Sequence, residues 1–179
     1  MMSKIPVLLP GTSMPAYSYV PGKFPHPIRD REGHSFGEVA DEVTDFDPQH
    51  WRECRAYLRG IDLFNHGFYW EAHEAWEAVW NAAGRQGVIA DFIKGLIKLT
   101  AACVKAREGS AIGVARHATR GDRLFRSVQS TLATEPSIMG LSLPALQEIA
   151  GQLAAGADLL VDRSDEPIVR IHEFLLEPK

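Results

Sequence analysis

Cysteine is scarce in this chain, long apolar runs are missing, and the charge is close to balanced. Each absence narrows the reading. The two cysteines among 179 residues, Cys54 and Cys103, sit among apolar neighbours in segments that read as helical. That setting favours buried free thiols over a disulfide. No apolar run approaches the roughly 20 residues needed to span a bilayer. Near the N-terminus, Val7-Leu8-Leu9 lies between prolines and is too short for the core of a signal peptide. The expectation is a cytoplasmic chain with no membrane partner. A formal charge of -4 gives no general reason to expect nucleic acid or an anionic surface as partner. Strand-like alternation of useful length, internal repeats and low-complexity tracts are all missing. So are a Gly-x-Ser-x-Gly elbow and a phosphate-binding glycine loop, and Ser127, Ser130 and Thr119 have no motif around them. With 45% hydrophobic residues, a chain of this length buries one substantial core.

Proline and aromatic residues are concentrated where the helical pattern is not. Six of the eleven prolines fall in the first 27 positions, interleaved with Tyr17, Tyr19, Phe24 and His26, with His34 beyond. Such proline density excludes a regular helix, while the aromatics argue against a purely solvated tail. An extended arm is expected, laid over the helical body or over a neighbouring subunit. An acidic connector, Glu38 to Asp47, holds five acids and no base. It reads as a solvated link or as a docking site for something cationic. Residues 1–46 are therefore taken as arm and connector, and 47–179 as a helical bundle.

Within the bundle, Asp47 can cap a first helix with Pro48 in its first turn. Trp51, Cys54, Tyr57, Leu58, Ile61 and Phe64 recur at helical steps up to Gly67, placed as a C-terminal stop. A second, aromatic helix runs from about Phe68 to Ala83. A third, about 86 to 108, carries Ile89, Phe92, Ile93, Leu96, Ile97, Thr100 and Val104 on one broad stripe. Gly95 inside it costs about 1 kcal/mol relative to alanine, which close helix approach could offset. The fourth, about 111 to 133, turns Val114, His117, Gly121, Phe125 and Val128 inward. The fifth spans Leu143 to about Leu160. Residues 168 to 176 are ambiguous between a short helix and an extended tail. The fold class is an all-α antiparallel bundle of about five helices.

The aromatic helix holds the least ordinary chemistry. Between Phe64 and Trp80 lie three of the four tryptophans, two of the seven histidines and three carboxylates. On a helical projection Tyr69, Ala72, His73, Trp76, Val79 and Trp80 share a face, with Glu77 one turn beyond His73 and Glu71 pointing nearly the opposite way. An imidazole in an aromatic stripe with a carboxylate at i+4 has three readings. It is a structural hydrogen bond; or a pocket of Asn65, Tyr69, Trp70, His73, Trp76, Glu77 and Trp80 that orients a small molecule or a protein segment; or a metal centre. The run His73-Glu74-x-x-Glu77 differs from the zinc helix His-Glu-x-x-His by a carboxylate in place of the second histidine. His73 and Glu77 would be ligands, His117 the third, and Glu74 or Glu77 would activate water in a metal-dependent hydrolase. Glu-x-x-His pairs of di-metal bundles are missing from this helix and from the next two. The row Arg116, Arg120, Arg123 and Arg126, with Lys94, Lys98 and Lys105 on the adjoining helix, reads as a solvated face or as a local anion site.

The run Phe64-Asn65-x-Gly67-x-Tyr69-Trp70-Glu71-Ala72-His73-Glu74-x-Trp76-Glu77-x-x-Trp80 resembles the signature of the domain-of-unknown-function 309 family. The resemblance extends through Phe92-x-x-Gly95-Leu96-Ile97-x-Leu99 and Gly109-x-x-x-Gly113 and covers roughly residues 50–133. It implies a compact, soluble multihelical bundle and no particular reaction. Lys105 stands where many members carry a histidine, so a site that uses that histidine is altered here.

Overall fold

The computed structural model describes residues 5–39 and 42–179. Ala40 and Asp41 of the acidic connector lie outside the described residues. Six α-helices make up the body: α1 (Arg55–Asn65), α2 (Tyr69–Ala82), α3 (Val88–Arg107), α4 (Ala111–Leu132), α5 (Leu143–Ala155) and α6 (Ala157–Leu160). Consecutive helices pack side by side, with α3 between α2 and α4, α1 against α2, and α5 against α4. The all-α bundle is the observed architecture.

The connections follow from the residues at their ends. Gly67 sits at φ 88°, a left-handed conformation that stops α1 and turns the chain into α2 within three residues. The Ser110 side chain accepts from Gly113 N at 3.1 Å and starts α4. The cost of Gly95 in α3 is matched by contact: a Cβ there would lie 2.4 Å from the Phe125 ring of α4. The same logic holds at Gly60 of α1, where a Cβ would meet the Trp76 indole at 2.2 Å.

Three local outcomes differ from the periodicity. The expected first helix is split into a 3-10 turn, Pro48–Glu53, and α1, with Cys54 extended at ψ 94°. Asp47 does cap Gln49 N, at 2.8 Å. Trp51, however, turns inward to stack edge-on with Tyr57 and to cover Gly140. Docking that indole on the 137–142 hairpin outweighs one more turn of α-helix. The hairpin itself, β1 (Ser137–Ile138) with β2 (Leu141–Ser142), pairs antiparallel and is too short to leave an alternation pattern. The expected fifth helix is interrupted at Gly156, which separates α5 from α6. Past α6 the chain is extended through residue 179, so the ambiguous 168–176 stretch is a tail and not a helix. Both cysteines are free, Cys103 fully buried and Cys54 partly so.

No helix among the described residues is long and apolar enough to cross a membrane.

Candidate functional site

The first turn of α2 and the last two turns of α1 are where both ends of the chain converge. Asn65 is buried, and its amide bonds the tail both ways: Nδ2 donates to Leu176 O at 2.9 Å, and Oδ1 accepts from Leu176 N at 2.8 Å. The buried Tyr69 hydroxyl accepts from Ile171 N at 2.8 Å. Between these anchors the tail inserts His172 among Phe64, Tyr69 and Phe174. The tail backbone also crosses Gly67, where a Cβ would stand 3.0 Å from Val169 O. A side chain at position 67 would push the tail away.

The arm is held by the same device with charged acceptors. Buried Asp62 receives Leu8 N at 2.7 Å on one oxygen and Leu9 N at 2.9 Å on the other. Glu71 Oε1 accepts from Tyr19 N at 2.9 Å and from His34 Nε2 at 3.0 Å. Trp70 lies under the arm, with Tyr19 and His26 edge-on at 5.2 and 5.4 Å. Arm and tail bond each other directly where Ser18 N donates to Pro167 O at 2.9 Å. Farther along the tail, buried Arg107 of α3 donates to Glu166 O at 2.6 Å and faces Asp162 at 3.4 Å.

The candidate site residues therefore divide among several jobs. Trp76 is fully buried, donating Nε1 to Tyr57 O at 3.1 Å. Asn65 and Tyr69 grip the tail, and Trp70 supports the arm. Trp80 is half-buried at the far end of α2, with Lys94 and Arg85 each 5.5 Å from its ring. His73, Glu74 and Glu77 remain at the solvent edge. His73 has 30% of its side chain exposed and Glu77 46%, with His73 Nε2 3.9 Å from Glu77 Oε2. On its other side His73 Nδ1 lies 3.4 Å from the Thr100 hydroxyl. Burial pulls the His73 pKa down; the Glu77 carboxylate opposes this and Lys98 adds to it. The ring is thus biased toward neutral imidazole, the form that ligates metals or accepts protons. Burial, with Glu77 and Glu71 nearby, pushes the Glu74 carboxyl up.

One donor atom from each of His73, Glu74 and Glu77 lies within 4.8 Å of the others. Two ligands on one zinc ion stand about 3.3 Å apart at tetrahedral geometry, so the trio fits a cation after modest side-chain movement. His117 is not part of that group. It sits on α4 amid Lys98, Arg120, Lys105 and Arg116, which hold its pKa down after burial has done most.

A separate open cleft of about 870 Å³ lies on the other side of α2, under the acidic connector. Phe46, Cys54, Arg59, Glu74 and Ala78 are among its walls, and Glu74 is the one candidate residue that reaches it.

Sequence reasoning missed Asp62, Glu71, Arg107 and His172. Asp62 left a signal as a carboxylate inside the apolar run Ile61-Asp62-Leu63-Phe64, and Glu71 stood within the aromatic motif without a partner in view. Glu71 and Arg107 become interior only because the arm and tail fold over them.

No curated protein and no solved structure matches the chain. Residues 57–117, from Tyr57 in α1 to His117 in α4, match the family model described as a domain of unknown function (DUF309).

Proposed function

We propose that this chain is a binding module whose α1–α2 corner receives extended polypeptide by its main chain. The observation that carries the reading is the two-way amide bond of Asn65 to Leu176, supported by the backbone N–H groups that Tyr69, Glu71 and Asp62 accept. Side chains that bond N–H and C=O groups recognise an extended backbone with little regard to sequence, as a sheet edge does. Pockets between them, such as the aromatic slot around His172, add side-chain selectivity. Here the chain's own ends fill the corner, and a partner segment competes for it.

The test uses the full chain with Ile171→Pro and Leu176→Pro, which remove both donated N–H groups and release the tail. A labelled peptide of residues 164–179 should bind this variant saturably in fluorescence polarisation. Adding Asn65→Ala should abolish the binding. Failure of the peptide to bind the released variant would mean that the corner only closes the fold.

A second reading rests on the His73, Glu74 and Glu77 trio: a divalent metal held at the α2 edge with solvent completing its shell, competent to activate water. Titration with zinc or manganese should then show one site per chain that His73→Ala removes. No saturable site in the unaltered chain contradicts it.

A further inference from the structure

The seam between α3 and α4 gathers more base than acid. Two glycines of α4 bring the helices together there. A Cβ on Gly113 would lie 2.8 Å from Lys105 Cγ, and one on Gly121 3.5 Å from Lys98 Cβ. His117 is one helical turn from each glycine. In this antiparallel register it therefore lies along α3 between Lys98 and Lys105. Its Nδ1 is buried and has no hydrogen-bond partner among the described residues. Lys98, Arg120, Lys105 and Arg116 all bear on the ring.

Two carboxylates stand at the ends of the seam. Glu108 pairs with Lys105 at one end, and Asp122 pairs with Arg126 through Oδ2 at the other, its buried Oδ1 having no partner among the described residues. Glu77 faces His73 on the α2 side. Lys98, Arg116 and Arg120 have no carboxylate within ion-pair distance among the described residues. Lys98 is partly buried, its pKa pulled down by that burial and by Lys94 and Arg120. A desolvated ammonium flanked by like charge, beside an imidazole nitrogen lacking a partner, is costly unless an anion completes it.

We propose that Lys98, His117 and Arg120 form a binding site for a small phosphate-bearing anion on the α3–α4 seam. Donors arriving from two helices suit the several oxygens of a phosphate better than the two of a carboxylate. The net charge of -4 opposes a long polyanion, so a small solute is the expected occupant.

The experiment follows the His117 ring nitrogens by NMR while inorganic phosphate, then pyrophosphate, is added at ionic strength held constant with potassium chloride. The expected result is a saturable response, with the His117 titration moved upward because the bound anion favours imidazolium. Lys98→Gln and Arg120→Gln should each weaken binding by about tenfold or more. Lys98→Arg should retain it, and Arg126→Gln should leave it unchanged. Because Arg120 is exposed, its variant folds whatever Lys98→Gln does. The proposal is overturned if chloride alone reproduces the response, or if Arg120→Gln binds phosphate as the unaltered chain does. It is also overturned if a single-stranded oligonucleotide binds more tightly than pyrophosphate at the same ionic strength.

Discussion

Asn65 shows how a buried polar residue can look like a ligand site while its partner is the chain itself. Its amide has both hydrogen-bonding sides satisfied by one peptide unit, 111 residues away in sequence. Asn65→Ala strands a buried N–H and C=O and should destabilise the fold by about 1–3 kcal/mol in urea melts. An effect below a few tenths would mean that the tail is not held there. His172 gives a second, pH-dependent consequence. Both its ring nitrogens lack partners among the described residues, and burial, helped by Arg170, pulls its pKa from 6.5 to about 4. The folded pKa is below the unfolded one, so protons bind the unfolded chain first. Stability is complete above about pH 6.5 and falls as the pH drops toward 4, by a total on the order of 3 kcal/mol. His172→Phe should flatten that slope between pH 7.5 and 5. An unchanged slope would assign it to other groups, of which His73 and His117 act in the same direction. The sequence exposed residue types here and not their partners. Asn65 and Tyr69 stood out in the motif, but nothing local to them named Leu176 or Ile171.

At the scale of elements, the helical periodicity was legible wherever packing and propensity agreed. α2 and α3 start and stop within a residue or two of their flanking glycines, and α4 starts directly after Ser110. Where they disagree, a single tertiary contact decides, as with Trp51 breaking the first helix. Gly95 is the sharpest test of the α3–α4 contact. Gly95→Ala raises local helix propensity, yet its methyl would press on the Phe125 ring, so a net loss of about 1–3 kcal/mol is expected. A gain in thermal stability would show that the two helices part easily. The arm is tied to α2 chiefly through Glu71, whose second oxygen is buried without a partner among the described residues. Glu71→Gln should loosen the Tyr19 and His34 bonds and speed proteolysis between residues 17 and 35, while the bundle's melting changes little. Proteolysis at the original rate would show that Trp70 and Asp62 suffice.

For the whole molecule, the arm and tail convert one face of the helical body into interior. That explains why so many motif residues are buried, and why the helical projection left Glu71 outside. The projection treats each helix as facing either core or water, whereas here a third layer of extended chain covers the α1–α2 corner. Proline density argued against a helix over the first residues, while where that segment docks depends on Asp62 and Glu71, whose backbone partners lie 52 to 54 positions away. Hydrogen exchange reads most directly whether the α1–α2 corner holds polypeptide backbone. In the unaltered chain the amides of Leu8, Tyr19, Ile171 and Leu176 should be protected. Asn65→Ala should speed exchange at Leu176 by tenfold or more while leaving Leu8 and Tyr19 as they were. Exchange of these four amides at the rate of an unfolded chain, in the unaltered protein, would contradict the account.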